Sequence, residues 1–357
     1  MIFFQFTFFD RNETSFALDP KAIPRSASTV IQWTDSIYLN ESDSERDIGV
    51  NDELRVSPGT TIYLGLDSRL RIAGRIVAEG TESEPIRIVS MTPDAGIGNH
   101  WGIQFNSTSQ GVGNLLRNVS IIGAMYGITM FSSDVQIDNV SIEETVRVAV
   151  DLYDSSSFSG KSLVIKNVGT TFVPSSSTDW YHGIGITAGG NTVLNLEDVR
   201  IENVTLRGLN IFGSSSGKIT KLFIENVGGN PNQIPACFWI EGGIISLSSF
   251  EFKECYTGIE IWYRSGTPLF VNAEEGYIDS SLYSGVLVHR EDPNNLSRAP
   301  RALLENITIN NTGLSSSGIS SGLEINSSGA IIRNFSILNT NGPGARIESS
   351  GSDVDIN

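Results

Sequence analysis

The chain has 357 residues, with 24 basic against 40 acidic side chains and a formal charge of −16. That balance disfavours a broad basic surface and excludes nucleic acid as an expected partner. Apolar residues make up 39% and charged ones 18%, which is a folding composition, and no apolar run approaches the roughly 18 residues of a membrane span.

The opening run Met1 to Phe9 is aromatic and apolar but lacks a basic leader region and a small-residue cleavage site, so it reads poorly as a signal peptide. An incomplete start, an edge strand or an end cap would each account for it. Residues 1–46 are expected to form an N-terminal segment and cap, because the open end of a coil exposes both core and strand edge. From residue 47 short alternating strands follow: Leu54-Arg55-Val56, Thr61-Ile62-Tyr63-Leu64, Leu70-Arg71-Ile72, Arg75-Ile76-Val77 and Ile86-Arg87-Ile88-Val89. Ser57-Pro58-Gly59, Gly74 and Gly80 break them.

Beyond residue 100 one pattern recurs: a small residue, an apolar residue, a variable residue, an apolar residue. Ten copies occur at intervals of 21 to 37 residues, among them Gly102-Ile103-Gln104-Phe105, Gly127-Ile128-Thr129-Met130, Gly183-Ile184-Gly185-Ile186, Gly208-Leu209-Asn210-Ile211 and Gly258-Ile259-Glu260-Ile261. A weaker copy reads Cys237-Phe238-Trp239-Ile240. Between copies lies a second pattern, such as Leu116-Arg117-Asn118-Val119-Ser120-Ile121, in which apolar alternation slips by one at an Asn. Strand side chains alternate with period two, so this slip requires a bend, and Asn tolerates the left-handed conformation that a bend uses. Asn118, Asn139, Asn167, Asn226, Asn306 and Asn334 are therefore expected at a repeated structural corner, with their amides stacked inward.

Strands of this kind without an intervening helical stretch define a parallel β-helix over 47–357, with about a dozen turns and an apolar column inside. The last strand-like run, Val354-Asp355-Ile356, falls in mid-repeat, so either the final turn is weakly capped or the natural protein continues. Cys237 and Cys255 do not have metal-site spacing. They are two buried free thiols or a disulfide between neighbouring turns. No phosphate-binding loop, nucleophile elbow or clustered metal ligands appear, so neither a cofactor nor a metal is expected.

The stretch Leu54 to Ile62, with Leu70-Arg71-Ile72-Ala73-Gly74-Arg75-Ile76-Val77-Ala78-Glu79-Gly80-Thr81, Pro85-Ile86 and Trp101-Gly102-Ile103, resembles extracellular parallel β-helix repeat proteins of the pectate-lyase-like superfamily. In particular it resembles the modules of bark-beetle-type adhesion proteins and of microbial surface proteins. The resemblance implies an all-β, right-handed, single-stranded parallel β-helix at the cell surface or outside the cell. It says little about chemistry.

Two functional readings follow. Many members of that superfamily act on polysaccharides, but this sequence lacks paired acids at matching repeat positions. A polysaccharide lyase or glycoside hydrolase working in a surface groove is therefore the alternative to a non-catalytic structural, adhesion or recognition module. The local candidates for catalysis are Asp179 and His182, at the end of a Ser/Thr-rich insertion that reads more readily as a plain loop covering the rod. Aligning the copies places outward residues in columns. One holds Gln104, Thr129, Asp151, Gly185, Asn210, Trp239, Glu260, Leu287, Glu324 and Arg346; the next holds Phe131, Tyr153, Thr187, Phe212, Glu241, Trp262 and His289. Trp239, Glu241, Glu260, Trp262, Tyr263 and Arg264 then share two turns, an aromatic and acidic surface suited to a carbohydrate or a surface protein, unless nearby insertions cover it. Eleven Asn-x-Ser/Thr sequons, including Asn12, Asn40, Asn295 and Asn310 in loops, add an expectation of secretion and glycosylation.

Overall fold

The computed structural model describes residues 29–40, 47–92, 98–170, 182–228, 235–263, 268–290, 300–313, 321–326, 329–348 and 354–356. These form strands β1 to β28, and the only helical piece among the described residues is a 3-10 turn at Ser107–Ser109. Two sheets result, one of 16 and one of 12 strands. All their pairings are parallel and join each turn to the next, as in β13 (Val148–Tyr153) with β11 (Tyr126–Phe131) and β15 (Ile184–Ala188). The molecule is a parallel β-helix of about a dozen turns, each about 4.8 Å from its neighbour. The strands Thr29–Trp33 and Ser36–Leu39 already pair into the coil, so coil structure begins before the boundary expected at residue 47.

From Asn114–Ile122 onward each turn couples one short strand of the 12-stranded sheet to one longer, bent strand of the other, while the first turns split that strand into two short ones. In β13 the residue Val150 points inward, and its register partners Ile103, Ile128, Ile186, Leu209, Phe238, Ile259, Val286 and Leu323 form one buried column. The small residue of the repeat has a packing cause. A β-carbon on Gly208 would lie 2.7 Å from Ile224 Cγ2, and one on Gly185 would lie 2.9 Å from Ile201 Cγ2. An inward isoleucine of each bent strand thus presses on the backbone of the short strand in the same turn.

The bend occurs at two corners. Asn118, Asn139, Asn306 and Asn334 stand at the first and Asn167 and Asn226 at the second, all with φ between 47° and 57°. Side-chain amides run from turn to turn: Asn139 Nδ2 donates to Asn118 Oδ1 at 2.7 Å, and Asn334 Nδ2 to Asn306 Oδ1 at 3.1 Å. Asn203 links Asn226 to Asn167 at the second corner. The expected single inward ladder is therefore two ladders, and they run along the surface: Asn139, Asn306 and Asn334 are exposed. A left-handed residue turns the backbone while its own side chain stays outside the apolar column.

Cys237 and Cys255 form a disulfide with Cα atoms 5.7 Å apart, both fully buried. The bridge ties the start of one turn to its end, not one turn to its neighbour. Cys237 occupies the position that is Gly208 in the preceding strand and Gly258 in the following one.

Candidate functional site

The outward side of the 12-stranded sheet carries the chemistry. Register defines its central column as Gln104, Thr129, Asp151, Thr187, Asn210, Trp239, Glu260, Leu287, Glu324 and Arg346. Thr187 replaces the expected Gly185, a slip of two residues. Gly183-Ile184-Gly185-Ile186 offers two overlapping matches to the repeat, and Gly185 is the one that meets the inward isoleucine. Although these side chains point away from the apolar column, Asp151, Thr187, Asn210, Trp239, Glu260, Leu287 and Glu324 are all buried.

A cleft of about 240 Å³ opens near the N-terminal end of this face, lined by Arg69, Trp101, Gln104, Tyr126, Thr129, Phe131, Asp151 and Tyr153. Two stacked aromatic pairs form its walls, Trp101 on Tyr126 at 5.4 Å and Phe131 on Tyr153 at 5.3 Å. The Arg69 guanidinium lies 5.0 Å from the Trp101 ring and donates to Gln104 Oε1 at 3.0 Å. Arg147 Nη1 meets the Tyr126 hydroxyl at 3.2 Å.

Asp151 is the acid of the cleft. The Tyr153 hydroxyl donates to its Oδ2 at 2.7 Å, while its Oδ1 is buried with no hydrogen-bond partner among the described residues. Burial raises its pKa from 3.8 to about 6, only partly offset by the tyrosine hydrogen bond. The parallel stacking of strands makes this geometry possible, since Phe131 and Tyr153 are register partners one residue beyond Met130 and Leu152.

The residues expected to bind a ligand are arranged differently. Glu260 is fully buried and bonds His289 Nε2 at 3.0 Å; Trp262 packs on His289 at 4.3 Å and on Trp239 at 5.4 Å. Arg207 lies over the Trp239 ring at 3.8 Å and donates to Asn210 Oδ1 at 2.7 Å. Trp239, expected to be exposed, is 5% exposed, and Glu241 is half-buried. Tyr263 joins the apolar core, because strand alternation sends it to the face opposite Trp262. His182 is buried at 4% exposure. Asp179 and Arg264, like Asn12 and Asn295, lie outside the described residues. Sequence reading assigned Gln104, Thr129, Phe131, Asp151 and Tyr153 to the columns but missed the cleft that they form with Arg69, Trp101 and Tyr126. The usable signal was the adjacency of Phe131 and Tyr153 beside Asp151 across one rung.

Asp138, Glu197, Glu225 and Glu305 precede corner residues and stand on the outside of the coil. Three of the four have basic neighbours there: Arg117 lies 3.2 Å from Asp138, Lys221 2.7 Å from Glu197 and Arg200 4.0 Å from Glu225. Among the described residues no group of three or more His, Cys, Asp or Glu side chains is placed to hold a metal ion, and no helix is long and apolar enough to cross a membrane.

No protein-family model matches the sequence, and no curated protein matches it at a significant level. Solved structures do match. The Agl-KA catalytic domain is similar with a TM-score of 0.55 at 12% identity, over 86% of this chain and 63% of its own. The catalytic domain of a GH87 alpha-1,3-glucanase in complex with nigerose is similar with a TM-score of 0.53 at 13% identity, over 94% of this chain and 70% of its own. At identities this low, the structural similarity shows the shared parallel β-helix fold alone.

Proposed function

We propose that this chain is an extracellular polysaccharide-processing β-helix in which the cleft around Asp151 seats a glycan and Asp151 protonates the leaving oxygen of the scissile linkage. The observation that carries this reading is the pairing of two stacked aromatic walls with a buried carboxyl whose pKa is about 6. Aromatic faces take up the apolar faces of sugar rings, while a few fixed polar groups orient them. A carboxyl that keeps its proton into the weakly acidic range can donate it in catalysis. The glucanase domain bound to nigerose shows the same fold holding a saccharide. A disulfide within the core suits an oxidising, extracellular setting. The net charge of −16 opposes a polyanionic ligand, so neutral glycans come first.

The second reading is a recognition or adhesion module that holds the same glycan without cutting it. One observation favours it: among the described residues Asp151 is the only carboxyl lining the cleft, whereas hydrolysis by paired acids needs two. A polysaccharide panel scored for both retention and product release separates the readings. Retention with release supports processing, and Asp151→Asn should then keep retention and lose release by roughly 10²–10⁴-fold. Retention without release establishes the recognition module. Neither retention nor release on any glycan overturns both.

A further inference from the structure

We infer that the C-terminal half of the same face holds a second, separate reaction centre, in which His289 acts as a general base on ester-linked acyl groups and Glu260 is its positioning residue. Glu260 lies four strands along the column from Asp151, from β13 to β21 (Thr257–Tyr263). At about 4.8 Å per strand that is roughly 19 Å, so one sugar ring cannot touch both.

The geometry is that of a base held by a buried acceptor. With Glu260 as a carboxylate, which only accepts, His289 Nε2–H is the donor to Glu260 Oε1 at 3.0 Å. In that arrangement the neutral imidazole keeps its lone pair on Nδ1, which bonds no described residue. The Glu260 side chain is 0% exposed and that of His289 19%, so the orienting group is enclosed while the imidazole reaches solvent. Trp262, packed on the imidazole at 4.3 Å, limits its rotation. Glu324, the third buried acid of the column after Asp151 and Glu260, is already engaged by Asn326 at 2.8 Å, Ser321 at 3.4 Å and Arg346 at 3.7 Å.

A purely structural pair would have its polar atoms satisfied, since orphaned buried groups are costly. Here Glu260 Oε2 and the indole N–H groups of Trp239 and Trp262 are buried with no hydrogen-bond partner among the described residues. Two buried donors and one buried acceptor thus stand beside an imidazole that reaches solvent.

The chemistry selects the substrate class. Cleaving a glycosidic bond by paired acids needs groups on both sides of the linkage, and one dyad on one face cannot supply them. Ester hydrolysis needs one group that takes a proton and returns it. His289 Nδ1 removes a proton from water as the water oxygen bonds to the ester carbonyl carbon. It then gives that proton to the alcohol oxygen as the carbon–oxygen bond breaks, leaving a carboxylic acid and a free sugar hydroxyl.

The test measures acetate release from a chemically acetylated neutral glucan, and 4-nitrophenyl acetate hydrolysis, by the full chain and its variants. The wild type should exceed buffer on both probes, and His289→Gln, which can still donate to Glu260, should lose roughly 10²–10⁴-fold in rate while its melting temperature holds. Glu260→Gln should lower kcat and leave KM within about twofold. His289→Ala should regain part of its rate with added imidazole, which a structural role would not produce. If Glu260→Gln fails to fold, the two His289 variants decide the matter. A wild type no faster than buffer, or His289→Gln as fast as the wild type, overturns the inference. Because deacetylation is scored separately from glycan chain cleavage, failure here leaves the Asp151 reading standing, and the reverse.

Discussion

Asp151 and Glu260 occupy the same column of the same sheet, yet the coil treats them differently. Asp151 receives a neutral hydroxyl from Tyr153 and borders an open cleft. Glu260 receives an imidazole N–H and is enclosed. The backbone register is identical in kind, so the neighbouring column sets each acid's chemistry: tyrosine two residues after Asp151, and tryptophan two residues after Glu260 with His289 one turn on. A β-helix repeats a scaffold exactly enough that function is written in which side chains stand beside one another across turns.

That contrast can be broken by mutation. The largest effect is expected at Glu260. His289→Leu leaves a fully buried carboxylate with no partner, and should cost about 3–5 kcal/mol of stability by chemical denaturation. A loss below about 1 kcal/mol would mean that the pair is not enclosed.

At Asp151 the sign reverses. Its folded-state pKa of about 6 lies above the ordinary 3.8, so the native state holds this proton more tightly than the unfolded chain does. Its contribution to stability is present below pH about 4, falls as pH rises to about 6 and stays lost above that, an effect on the order of 3 kcal/mol. Asp151→Asn should remove this slope and denature later than wild type at pH 7. Glycan cleavage by the wild type should likewise fall as pH rises through about 6.

The smallest effect should come from a corner, away from both acids. Asn139 has φ of 55° and donates to Asn118. Asn139→Ala should cost about 1–2 kcal/mol for the left-handed strain, and Asn139→Gly clearly less. Equal losses would assign the cost to the amide ladder instead.

The fold was legible because its causes are local and repeated. In six turns a glycine faces an inward isoleucine, and Asn stands at many of the bends. The site was only partly legible because its determinants lie across turns. Gly183 and Gly185 match the repeat equally well in sequence, and only packing against Ile201 decides between them. Trp262 and Tyr263 are adjacent in sequence but fall on opposite faces of the strand. Arg69 and Trp101 lie outside the repeats that defined the columns, so the cleft they complete had no periodic signature. Two corners instead of one were hidden because Ser162, Asp198, Lys221 and Glu254 also take positive φ there, which no residue-type pattern announces.

The central claim is that the sheet face holds a desolvated acid in an open, aromatic-walled cleft. Carbon-detected NMR titration of the Asp151 carboxyl, assigned by comparison with Asp151→Asn, tests it most directly. A midpoint near 6 is the predicted result, and a midpoint at the ordinary aspartate value of about 3.9 would contradict it.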